Sequence, residues 1–159
     1  MANKKRNSFY GKKTVAATFK VGGTDSSGTA MSAIGAHGLG IRIPSGAIIT
    51  NAFYVVNDTF ESTATGTDKA TIALHVQSAG DLKAAIAIED ATNVWDEGVR
   101  GCLPGRYALD GNALTAIAMA AADAGSYILT TAERELTATV AVAALTAGEL
   151  TLYVEYLVP

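Results

Sequence analysis

Apolar and polar residues alternate with a period of two over most of this chain. The pattern is clearest at the C-terminal end, in RELTATVAVAALTAGELTLYVEYLVP. Leu136, Ala138, Val140 and Val142 fall on one face of an extended chain, with Thr137, Thr139 and Ala141 on the other. After the LTAGE break, Leu150, Leu152, Val154 and Tyr156 resume the period. Such alternation marks strands with one buried face, and Thr-Ala-Gly between them carries turn chemistry. The stretch reads as a C-terminal β-hairpin in the middle of a sheet.

The same period defines earlier strands. Val15, Ala17, Phe19 and Val21 alternate with Thr14, Ala16, Thr18 and Lys20. GGTDSSGTAMSAIG, residues 22–35, is a loop by composition. Leu39, Ile41 and Ile43 form a short strand ended by the turn Pro44-Ser45-Gly46. Residues 47–60 form a long strand with Ile49, Phe53 and Val55 on one face and Ile48, Tyr54 and Val56 on the other. Apolar residues on both faces place it between two layers or against a neighbour. Ile72, Leu74 and Val76 make a further strand. Residues 81–88 fit a helix or a strand end, and NVWDEG is a turn with Trp95 as a core plug. Alanine content favours a helix over 114–122, with a buried strand as the other reading. Tyr127 to Thr130 and the final strands close the domain. Seven or eight strands divided by turns predict a mainly all-β chain, an antiparallel β-sandwich or jelly-roll-like fold with one or two short helices.

Composition bears on assembly. A chain of 159 residues suits one domain, and 49% hydrophobic against 17% charged residues excludes disorder throughout. Much of the apolar share is alanine, which buries little surface per residue, so the chain gains from burying more against neighbours. Cys102 is the one cysteine, which excludes an internal disulfide and a cysteine cluster. No run of about 18 apolar residues predicts a membrane span, and no apolar segment follows the basic N-terminus as a signal peptide requires.

The net charge of −3 conceals two opposed regions. Residues 1–20 hold six basic side chains and no acid, leaving −9 on the remainder. Residues 1–13 read as an extended basic N-terminal arm, and residues 14–159 as a single β-sandwich domain. Lys4, Lys5, Arg6, Phe9, Tyr10, Lys12 and Lys13 are the candidate partner-binding residues, the aromatics acting as anchors. Cations beside aromatics also suit nucleic acid, a reading the acidic body opposes.

No catalytic or metal motif emerges. His37, in a glycine-flanked loop, and His75, opposite the core positions of its strand, lack metal-ligand spacing. There is no GxSxG elbow for a hydrolase. Glu89-Asp90 and Asp96-Glu97 are adjacent pairs whose side chains diverge on an extended chain, so neither forms a glycosidase pair. Gly38-Leu39-Gly40 lacks the rest of a dinucleotide fingerprint. The chain reads as a non-enzyme with no cofactor.

HGLGIRIPSGAIITNAFYVVNDTFES, TIALHVQSAGDL, NVWDEG and ERELTATVAVAALTAGELTLYVEYL, in that order, resemble small virion structural proteins of tailed bacteriophages. The likeness spans about Ala36 to Leu157 and transfers no site residues. It implies a capsid cement or decoration protein on the virion's capsid surface. Its partners would be the major capsid protein and other copies of itself, as a dimer or trimer, with no membrane. The alternative is a head-fibre or tail-associated binding module with a carbohydrate-reading face, for which Trp95, Tyr54 and Tyr107 are the stacking candidates.

Overall fold

A computed structural model describes residues 11–64, 69–102, 107–110, 113–116 and 127–158, the short segments 107–110 and 113–116 by backbone alone. Among the described residues eleven strands run in chain order: β1 (Gly11–Lys20), β2 (Gly35–Ile43), β3 (Ile48–Ser62), β4 (Thr71–His75), β5 (Lys83–Ala87), β6 (Gly98–Gly101), β7 (Tyr107–Asp110), β8 (Ala113–Ala116), β9 (Ile128–Leu129), β10 (Arg134–Ala141) and β11 (Leu145–Val158). One sheet has the order β1-β11-β3-β6, with β9 also on β3; the other has the order β2-β10-β4-β5; β7 and β8 form a separate ribbon. All pairings are antiparallel. The alternating inward residues of the two larger sheets meet in one core, making a β-sandwich. The pairs nest, β1 with β11, β2 with β10, β3 with β6 and β4 with β5, which is a jelly-roll-like winding of one long folded ribbon.

Several expectations change. Among the described residues there is no helix. Residues 83–87, left open by periodicity, form β5, and 113–116, where alanine favoured a helix, form β8; residues 117–126 lie outside the described residues. At 114–116 the chain follows the strand alternative, where cross-strand pairing outweighs a helix propensity of a few tenths of a kcal/mol per residue.

The C-terminal strands are not a hairpin. β10 pairs with β2 and β4 in one sheet, while β11 pairs with β1 and β3 in the other. Both are central, as the alternation implies, but in different layers. The chain changes layer at residues 142–144, where Val142 takes φ +71° and is exposed rather than buried. Thr-Ala-Gly is no turn but a run of register shifts inside β11. Gly148 has φ +129°, and an added Cβ there would overlap the Phe60 ring.

A second shift re-sorts β3. Asn51 pairs with Glu155 and Ile49 with Tyr156, so Thr50 is the extra residue of a β-bulge. Ile49 therefore joins Ala52, Tyr54 and Val56 in the core, while Phe53 and Val55 face outward. The aromatic centre of the core is Trp95, which is fully buried. Its ring lies 5.2 Å from Tyr54 and 6.2 Å from Phe60, and its indole N–H donates to the Ile86 carbonyl at 3.0 Å.

Candidate assembly surface

Among the described residues β1 is an edge strand, and two of the seven candidate partner-binding residues belong to it. Lys12 and Lys13 lie in the ladder opposite Leu157 and Tyr156, so the sheet takes in residues 11–13, assigned by sequence to the arm. Lys4, Lys5, Arg6, Phe9 and Tyr10 lie outside the described residues. Thr14, Ala16 and Thr18 are exposed, as are both lysines. Lys12 Nζ meets Glu155 Oε2 at 2.9 Å and Lys20 Nζ meets Glu149 Oε2 at 2.6 Å. The hydrogen bond and charge of Glu149 hold the Lys20 ammonium above its ordinary range. Both acids stand on β11, so both lysine heads are drawn back across the neighbouring strand.

The outer face of this sheet carries a band that periodicity alone did not single out. Phe53 and Tyr153 face each other across β3 and β11, with ring centroids 4.8 Å apart and planes 10° from parallel. Val55 and Val99 form the adjoining cross-strand pair, and Leu129 extends the apolar surface next to Ile48. The signal lay in Tyr153, an aromatic at an outward position of its strand.

The candidate ligand-stacking aromatics do not form a face. Trp95 and Tyr54 are fully buried, and the Tyr54 hydroxyl donates to the Val94 carbonyl at 3.0 Å. Burial drives its phenol far above the ordinary range. The Tyr107 side chain lies outside the described residues.

His37 is not in a loop but on the inward face of β2, 1% exposed. Its Nδ1 lies 3.1 Å from Asp25 Oδ2 and its Nε2 lies 2.8 Å from the Ala33 carbonyl. Asp25 Oδ1 accepts from the Ser27 hydroxyl at 2.7 Å and from the Ser27 and Thr29 N–H groups. These bonds, the Ser27 hydroxyl foremost, hold the Asp25 carboxyl well below the usual carboxylate range against the opposing effect of burial. The pair therefore ties down the loop between β1 and β2. His75 is half-buried with Nδ1 unpartnered; burial lowers its basicity, partly offset by Asp81. Cys102 is buried, which pushes its thiol up to about 12 and leaves almost no thiolate at neutral pH. Among the described residues no three His, Cys, Asp or Glu side chains come together as metal ligands. No helix there is long and apolar enough to cross a membrane.

No protein-family model matches the chain, and no curated protein does. Solved structures do match it. A chain of the acid-stable capsid of Helicobacter pylori bacteriophage KHP30 superposes with a TM-score of 0.57 at 12% identity, covering 95% of this chain and 91% of that one. A chain of the cyanophage Pam1 capsid asymmetric unit gives 0.54 at 18% identity, covering 100% and 93%. At such identities the likeness is one of fold, and it extends over nearly the whole of each chain.

Proposed function

We propose that this chain is a non-enzymatic bacteriophage virion structural protein, a capsid cement or decoration protein that bridges and stabilises major capsid subunits on the capsid surface. The observation that carries the reading is the near full-length fold shared with chains of two phage capsids. The sequence resemblance leads to the same group of proteins independently. The buried positions of Trp95 and Tyr54 count against the carbohydrate-reading alternative. Phe53 and Tyr153 turn their ring faces on each other, which leaves little open aromatic platform for a sugar.

A bridging protein of this kind acts by mass action, stabilising the assembled shell because only the shell presents the composite site. Residues 1–10 supply the basic, aromatic segment for that contact, and residues 11–159, with a net charge of −6, supply the opposite charge. Quantitative mass spectrometry of purified virions tests the reading. A copy number comparable to that of the major capsid protein supports cement, whereas a handful of copies supports a tail part. Deleting residues 1–10 should leave the circular dichroism spectrum of the body intact and weaken capsid binding. Wild-type binding should fall with salt. Undiminished binding by the truncated protein would assign the contact to the body alone.

A further inference from the structure

We infer that β1 is a self-association edge, and that two copies pair their β1 strands antiparallel about a two-fold axis at Val15. This does not depend on the capsid reading. The β1–β11 register runs from Gly11 to Lys20 without a shift, so backbone groups alternate strictly along it. At Val21 the N–H points to β11, donating to the Gly148 carbonyl at 2.9 Å. At Lys20 both groups point the other way: its N–H meets Met31 Sδ at 3.5 Å, and its carbonyl accepts from the Gly23 N–H at 3.0 Å. In an antiparallel ladder a residue's N–H and C=O point to the same side. Thr18, Ala16, Thr14 and Lys12 therefore aim both groups at an edge that no described strand covers. The loop after β1 covers this edge at Lys20.

An open edge of this length invites pairing, and natural proteins guard such edges with lysine heads, proline or bulges. Here Glu155 and Glu149 hold Lys12 and Lys20 back over β11, the register has no bulge, and the run Thr14-Val15-Ala16-Ala17-Thr18 is small and uncharged. Lys13 is the remaining lysine of the strand, exposed near its start, and the edge from Thr14 to Thr18 carries no lysine, proline or bulge.

A second copy fits it better than an unrelated strand because the edge is self-complementary in one register. With Val15 on the axis, Thr14 faces the partner's Ala16 and Lys12 faces the partner's Thr18. All four edge-directed residues of each copy then sit in hydrogen-bonded pairs, and no lysine faces a lysine. Moving the axis to Ala16 would set Lys12 against the partner's Lys20, whose backbone groups are already taken.

Light scattering on the full chain at micromolar concentration should give a dimer. Ala16→Pro removes an N–H that points at the edge while sparing the β11 ladder, a position where a strand tolerates proline. It should weaken the dimer about a hundredfold, as expected for two lost main-chain bonds, one from each copy. Ala16→Lys, which places a guard beside the axis, should also dissociate it and serves if the proline variant misfolds. Val15→Cys should crosslink to itself under mild oxidation, since residues facing each other on the axis bring Cα atoms to about 4.5 Å; Lys13→Cys should not. A monomeric wild type would overturn the inference, as would a dimer unmoved by both Ala16 variants or a Val15→Cys protein that stays uncrosslinked. None of these results alters whether the protein belongs to a virion.

Discussion

Trp95 is the residue on which the interior most depends. It fills the space between Tyr54 and Phe60 and satisfies its one donor on Ile86. Trp95→Ala should therefore cost about 3–5 kcal/mol, read as a large fall in melting temperature; an unchanged value would contradict its burial. His75 gives the chain a pH dependence whose sign follows from its surroundings. Its imidazole loses basicity on folding, so the unfolded chain binds the extra proton and stability falls as pH drops below the ordinary histidine range of about 6.5. His75→Leu should flatten the decline in melting temperature between about pH 6.5 and 5, and an identical decline would assign it elsewhere. Asp25 behaves in the same sense at lower pH. Its depressed carboxyl keeps its contribution above the ordinary carboxylate range and loses it only as pH falls toward its own folded value.

At the level of the strand, periodicity located nearly every element but not its partners. The alternation at Leu136–Val140 and at Leu150–Tyr156 correctly marked two central strands, because a period of two reports a buried face. It carries no information about which sheet that face belongs to, so two strands in different layers looked like a hairpin. The same limit explains Ile49, since one bulge at Thr50 reverses the faces on either side of it. Turn chemistry misled at Thr146-Ala147-Gly148 for a related reason. A glycine at positive φ serves a bulge as well as a turn, and here the second reason for glycine is the Phe60 ring pressed against its Cα. Gly148→Ala should destabilise by about 2–4 kcal/mol, overpacking and backbone strain together, measured by denaturant titration. A near-neutral result would mean that the bulge can relax. The candidate arm was legible as charge, whereas the start of β1 at Gly11 was not, because Gly-Lys-Lys has no apolar member to show the period.

For the molecule as a whole, the nesting of strand pairs bears on how fast the native state can be reached. β4 and β5 meet across a short connection, whereas Lys20 must find Glu149. Because β11 lies between β1 and β3, those two strands join one sheet only when it inserts. Loop closure of this reach must be accomplished before its contacts repay it, and chains dominated by such pairings fold in milliseconds to seconds. The winding therefore assigns opposite kinetic roles to its two ends. Ile72→Val, in the innermost pair, should mainly slow refolding, while Val154→Ala, in the outermost, should mainly speed unfolding. Stopped-flow chevrons that move in the reverse sense would show that the ribbon closes from its ends inward.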